Sequence, residues 1–332
     1  MVLVPPSGTA KNGRMVSLND VYRARRRLSD HLEPTPLPSY PALDAIAGTE
    51  VFVKHENLQP IGAFKVRGGI NLLATMDSAD RNAGIVGYST GNHAQSLAYA
   101  ARRFGVECVI VVPADPNPVK AAAVRALGAH LVEYGPHLET AAEHAAGLAR
   151  SRGMRLVSAA DEPALIAGVA TAYLEVFTEL PDVDVVLVPV GSGTGAAGAC
   201  VVAEALNPDC RVVGVQSDAS PAAHDSWRAG ELVTRPNLTV CDGLATGAGF
   251  GLPQRMLRGR LADFRLVSDA EIAHAQWLLL SRARTVAEGA GAAATAALSV
   301  MKSQLAGQRV VVMCTGGNAA EAELRRCVDQ ER

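Results

Sequence analysis

No apolar run in this 332-residue sequence approaches the roughly 20 residues of a membrane span without a charge or glycine breaking it. No membrane association is therefore expected. The N-terminal stretch MVLVPPSGTAKNGR is interrupted at Pro5–Pro6, so residues 1–14 read as a loose tail, neither signal peptide nor anchor. An excess of one charge is also missing. The 31 Lys and Arg against 33 Asp and Glu leave a formal −2, which argues against a nucleic-acid or acidic-membrane binder. The one local exception, RARRR at 23–27, follows SLND, a helix start at Ser17 with Asp20 completing a capping box, and reads as a solvated helix face. The six cysteines (108, 200, 210, 241, 314, 327) show neither CxxC nor metal-ligand spacing. Cys108, Cys200 and Cys314 sit in apolar runs, as buried free thiols do. A reduced, soluble, cytoplasmic protein is the economical expectation. Repeats and low-complexity tracts are absent too.

What is present is a large apolar fraction, 48%, enough for a sizeable core in about two domains. From residue 84 onward, short apolar β-rich runs alternate with alanine-rich helical segments. GIVGYS (84–89), ECVIVV (107–112), AHLVEY (129–134), VDVVLVPV (183–190), RVVGVQS (211–217) and RVVVMC (309–314) read as strands. Segments 91–105, 117–128 and 138–153 read as helices, and the alanine-rich 286–298 as a tightly packed one. Continuous apolar strands between amphipathic helices predict an α/β protein, a parallel sheet with helices on both faces. Turn residues place the edges of a smaller inner unit near 80–84 and 152–156. The expected division is a larger domain of 15–82 with 155–328, and a smaller mobile one of 83–154.

Three constellations carry chemistry. GSGTGAAG (191–198) follows a strand and opens a helix, so its N–H groups, with the hydroxyls of Ser192 and Thr194, can cradle an anion. Gly193, Gly195 and Gly198 also spell GxGxxG, and Asp218 follows near the end of the next strand, which fits a dinucleotide fingerprint. YSTGNHAQSLAYAA (88–101) places Thr90, Gly91, Asn92 and His93 at the lip of a second helix, suited to a carboxylate or a phosphate; ordinary capping by Ser89 or Thr90 is the plainer alternative. Third, Lys65 stands between Phe64 and Val66 with Gly62 and Gly68–Gly69 around it. Apolar surroundings lower an amine's pKa and make it a nucleophile toward carbonyls. The alternative is a snorkelling lysine or one paired with Glu56. An amine, a phosphate cradle and a carboxylate cradle in one chain match a cofactor bearing an aldehyde and a phosphate, acting on an amino acid: pyridoxal 5′-phosphate.

The segments KHENLQPIGAFKVRGG, STGNHAQSLAYAA, VGSGTGAAG, VAEGAGAAA and CTGGN occur in the order and spacing of fold-type II pyridoxal-phosphate enzymes. More closely, the chain resembles the serine/threonine dehydratase (threonine ammonia-lyase) branch, which includes serine racemase, from about residue 17 to about 320. That resemblance implies two three-layer α/β/α domains, like those of the tryptophan synthase β chain. It implies that Lys65 holds the cofactor as a Schiff base, that Phe64 flanks its ring, and that Gly191, Ser192, Gly193 and Thr194 bind its phosphate. Ser89, Thr90, Gly91, Asn92 and His93 would receive the substrate carboxylate, with Asn92 also reaching the ring hydroxyl. Glu288 would lie on the substrate side of the ring and Thr315 would meet the pyridine nitrogen. A homodimer or homotetramer acting on a small amino acid is implied as well.

The activity so implied is α,β-elimination from L-threonine or L-serine. Departures from the family pattern qualify it. Thr90 keeps a hydroxyl where the racemase has its catalytic serine, so serine racemase and hydroxyaspartate dehydratase or racemase stay open as alternatives. Gln216 and Ala222 stand where the racemase's metal site has two acids, with Asp218 and Asp242 nearby, and no divalent metal is expected. The chain also leaves no room for the regulatory domain of some biosynthetic dehydratases. Outside this cofactor class stand a nicotinamide dehydrogenase, which leaves Lys65 unexplained, and a cofactor-holding protein without turnover.

Overall fold

The computed structural model describes residues 15–329; the tail expected at 1–14 lies outside them. Nine strands run through the described residues, and every strand pairing is parallel. In chain order they are β1 (Glu50–His55), β2 (Ile85–Tyr88), β3 (Cys108–Val112), β4 (His130–Glu133), β5 (Arg155–Val157), β6 (Val185–Pro189), β7 (Arg211–Ser217), β8 (Asp263–Val267) and β9 (Arg309–Cys314). A five-stranded sheet has the order β1-β9-β6-β7-β8, and a four-stranded sheet has the order β4-β3-β2-β5.

Burial on both faces explains the unbroken apolar runs. In β6, Val185 and Leu187 enter one core while Val186 and Val188 enter the other. Helices Asp269–Arg282 and Gly289–Val300 cover the first face, and Pro163–Glu179 and Thr194–Leu206 the second. The small sheet repeats the arrangement, with Val109 and Val111 facing helix Leu138–Arg152 and Ile110 and Val112 facing helix Asn92–Phe104. Both units are thus three-layer α/β/α, as expected. No helix of the described residues is long and apolar enough to cross a membrane. All six cysteines are free and buried. Helix Leu18–Leu28 begins as expected, with the Ser17 amide donating to Asp20 Oδ2 at 3.0 Å and Arg23, Arg25 and Arg26 exposed.

One boundary differs from the sequence reading. Arg155–Val157, assigned to the larger domain, pairs with Ile85–Gly87 as the edge of the four-stranded sheet. A three-residue strand is too short to show a period.

A buried charge network ties the large unit together. Arg67 donates from Nε and Nη2 to both oxygens of Glu56 at 2.7 Å, and from Nη1 and Nη2 to those of Glu175 at 2.6 and 2.8 Å. Lys54 Nζ donates to Glu175 Oε2 at 2.7 Å and to the Thr35 carbonyl at 2.6 Å, while Thr35 Oγ1 donates to Glu56 Oε1 at 2.6 Å. Burial opposes the charge on Glu56, but the Arg67 guanidinium holds its carboxyl below the usual range. Two cations thus meet two anions, and the unit is neutral. Removing Arg67 leaves the buried Glu56 with no cation bonded to it and Glu175 with Lys54 alone. Arg67→Met should cost about 3–5 kcal/mol in denaturant unfolding; a loss under about 1 kcal/mol would show that the network carries no such weight.

Candidate active site

Two of the three constellations, and Thr315 with them, leave their sheets at carboxyl ends, the edge at which parallel sheets bind ligands. β6 runs through Gly191–Gly193 into helix Thr194–Leu206, β2 runs through Ser89–Gly91 into helix Asn92–Phe104, and β9 ends one residue before Thr315. A short antiparallel bridge, Ala63 with Gly316, joins the Thr315 loop to the segment before Lys65, and the Phe64 amide donates to the Thr315 carbonyl at 3.0 Å.

Lys65 is the first residue of helix Lys65–Thr75. The glycines after it have a packing role. A Cβ on Gly69 would collide with Ser96 of helix Asn92–Phe104, and one on Gly68 would stand 3.1 Å from the Leu165 carbonyl. The lysine helix is therefore wedged between two others, and Ser96 Oγ donates to the Lys65 carbonyl at 2.6 Å. Lys65 Nζ donates to Thr194 Oγ1 at 2.8 Å and to Ser192 Oγ at 3.3 Å, in the mouth of the glycine loop. Its partner is not Glu56, which Arg67 holds. With no carboxylate to support its charge, loss of hydration lowers the amine to about 8. The dinucleotide fingerprint offers no account of a lysine in that position, and Asp218 is exposed at the end of β7.

Across the cleft, Asn92 Nδ2 donates to Glu288 Oε1 at 2.6 Å, and Asn318 Nδ2 donates to Asn92 Oδ1 at 2.8 Å. Glu288 caps helix Gly289–Val300 by position. Burial pushes its carboxyl up to about 7 against the Asn92 hydrogen bond; Glu323 and Asp242 push the same way, and Lys120 opposes them. His93 is buried, and burial, with the Lys65 charge, brings it down to about 3, so it stays neutral. Thr315 is buried, with Oγ1 donating to the Ala290 carbonyl at 3.3 Å. The Phe64 ring centroid lies 5.3 Å from Lys65 Nζ.

The structure thus brings Lys65, Phe64, Ser192 and Thr194 together, and joins Asn92 to Glu288. Thr90 stands exposed at the helix lip, and Ser89 Oγ accepts only locally, from the Gly91 amide at 3.2 Å. Gln216, where the racemase metal site has an acid, accepts the His224 amide at 3.0 Å. Asn318, the last residue of the CTGGN motif, joins the site through Asn92, a role its spacing alone does not reveal. Lys120 and Asp242 at the cleft mouth carry no motif at all.

The cradle fits a phosphate on an aldehyde-bearing group. A Cβ on Gly191 would collide with the Gly243 carbonyl, and one on Gly193, at φ +88°, would stand 2.9 Å from Pro253 Cβ. The close-packed loop admits only glycine at those positions. It presents two hydroxyls and a helix N-terminus beside an amine with a lowered pKa.

Parallel α/β/α units with a buried amine and two loop-to-helix turns at the carboxyl ends of their strands are the frame of a cofactor-dependent α/β enzyme. Residues 28–316 match the model of the pyridoxal-phosphate dependent enzyme family, and the chain belongs to that family. Its cofactor is pyridoxal 5′-phosphate. An L-threo-3-hydroxyaspartate ammonia-lyase of a Pseudomonas species is 36% identical over 306 residues, covering 92% of this chain and 96% of that one. An L-threonine ammonia-lyase of Thermotoga maritima is 36% identical over 305 residues, 92% of this chain and 76% of that one. The crystal structure of serine racemase from Dictyostelium discoideum superposes with a TM-score of 0.87 at 30% identity, covering 92% and 99% of the two chains.

The raised carboxyl of Glu288 has a stability signature. Its folded pKa, about 7, lies above its ordinary 4.5. Between those values the folded state holds the extra proton, so this group's contribution falls as pH rises from 4.5 to 7. Glu288→Gln in the cofactor-free protein should leave stability at pH 4.5 unchanged and raise it by about 1–3 kcal/mol at pH 8, read from denaturant midpoints. An equal shift at both pH values would contradict the raised carboxyl.

Proposed function

We propose that this protein is an ammonia-lyase for β-hydroxy amino acids, converting L-threonine, L-serine or both to 2-oxobutanoate or pyruvate plus ammonia. The observation that carries this reading is the Lys65 amine, held by hydroxyls alone in the mouth of the glycine loop. The ammonia-lyases among its relatives support the reaction class.

Lys65 would tether the cofactor, while Gly191, Ser192, Gly193 and Thr194 would hold its phosphate. Phe64 would flank the ring, Asn92 would meet its hydroxyl, and Glu288 would stand on the substrate side. When bound, the cofactor supplies an electron sink for the bonds of the substrate α-carbon. Ser89, Thr90, Gly91, Asn92 and His93 take the substrate carboxylate at a helix N-terminus and turn the Cα–H bond toward Lys65. Once the substrate's own amine has taken its place on the cofactor, the freed amine of Lys65 would accept that proton, a role its lowered pKa suits near neutral pH. Thr315 would offer its hydroxyl to the ring nitrogen, where a carboxylate would hold positive charge. A hydroxyl there would temper the sink and favour prompt loss of the β-hydroxyl over return of the α-proton. The four-stranded unit, closing over the cleft, excludes water.

A second reading rests on Thr90, whose hydroxyl is exposed at the lip of the carboxylate loop. It would serve a racemase as the acid on the face opposite Lys65, and chiral analysis of recovered substrate separates the two. Six buried free thiols support a reducing, cytoplasmic setting. The family resemblance supports a homodimer or homotetramer.

Lys65→Ala should abolish the visible absorption of the holoenzyme and lower turnover of L-threonine and L-serine at least about 1,000-fold. Full activity in that variant would refute the assignment.

A further inference from the structure

The two units also meet through an ion pair at the cleft mouth. Lys120 lies in helix Pro118–Ala126, whose first turn is fixed by Asn117 Oδ1 accepting from the Val119 and Lys120 amides at 3.0 and 3.3 Å. That helix follows β3, which pairs with β2 from Ile85↔Cys108 to Tyr88↔Val111, and β2 leads directly into Ser89–Asn92. Lys120 and the candidate carboxylate loop therefore belong to one body.

Asp242 belongs to the other. It opens the short turn Asp242–Leu244, flanked by buried Cys241 and Leu244. Gly243 of that turn packs on Gly191 of the phosphate cradle and on Ala290 of helix Gly289–Val300. Upstream, Asp269 fixes the segment, accepting from Thr239 Oγ1 at 2.6 Å and the Val240 amide at 2.9 Å. Lys120 Nζ donates to Asp242 Oδ2 across the gap. The Lys120 side chain is only 17% exposed, so it gives up water to reach a carboxylate that is 66% exposed. A Cβ on Gly243, the residue after Asp242, would stand 4.0 Å from Glu288 Oε1, which places this turn beside the candidate substrate space.

We propose that the Lys120–Asp242 ion pair is the clasp that holds the four-stranded unit over the cradle, making both residues positioning residues for the loop Ser89–His93. The proposal rests on the reading that this loop takes the substrate carboxylate. Without the clasp, the closed state is a smaller fraction of the population, and apparent affinity falls by that fraction while chemistry in the closed state is retained.

The test uses three holoenzyme variants: Lys120→Met, Asp242→Asn, and the swapped Lys120→Asp/Asp242→Lys. Each single variant should raise KM for L-threonine or L-serine about three- to tenfold, with kcat changed less than about twofold. Amide hydrogen exchange in 118–126 and 89–95 should quicken without substrate, and the swapped pair should bring both readouts back toward the parent. Unchanged KM and exchange in the single variants, or a swapped pair as impaired as the two singles combined, overturns the clasp. Exchange is read without turnover. A protein inactive on every β-hydroxy amino acid would sink the functional reading, and the exchange result would still decide the clasp.

Discussion

An amine inside a folded core stays reactive only if no carboxylate reaches it, and this molecule meets that constraint by committing its buried acids elsewhere. Glu56 and Glu175 both close on Arg67, two residues along the helix from Lys65, and Lys54 completes the balance. Lys65 is left with the hydroxyls of Ser192 and Thr194. A hydroxyl accepts from an ammonium and donates to a neutral amine, so it serves both protonation states and fixes neither. Burial lowers the pKa of Lys65, and no carboxylate is bonded to it to restore the charge.

The same helix explains how two separate units build one site. Gly68 lets it approach helix Pro163–Glu179, and Gly69 lets it approach helix Asn92–Phe104. A larger side chain at Gly69 would push helix Asn92–Phe104, and the loop Ser89–Gly91 that leads into it, away from the lysine helix. Parallel sheets then bring Gly191–Thr194, Ser89–His93 and Thr315 to their carboxyl edges. The chemistry expected of the family therefore depends on packing among small residues as much as on the reactive side chains.

Much of this was readable from residue order. Strands β2, β3, β4, β6, β7 and β9 announced themselves as apolar runs between helical segments, because burial on both faces removes polar alternation. β1, β5 and β8 did not. EVFVKH and DFRLV carry charges within short spans, and RLV is only three residues long. Lys65 and the glycine loop were found because their chemistry is local and has a spacing. Glu175 was not, since it lies 108 residues from Arg67 and only the fold brings them together. The plainer alternative for Lys65, a pair with Glu56, fails because the guanidinium of Arg67 takes that carboxylate. Lys120 and Asp242, 122 residues apart, had no local signal either.

The account stands on which amine carries the cofactor. Cofactor-saturated protein, reduced with borohydride and digested, can be read by tandem mass spectrometry for the modified lysine. The account predicts one reduced cofactor on Lys65 and none elsewhere. A label on a different lysine, or an unmodified Lys65 in a fully saturated sample, would contradict it.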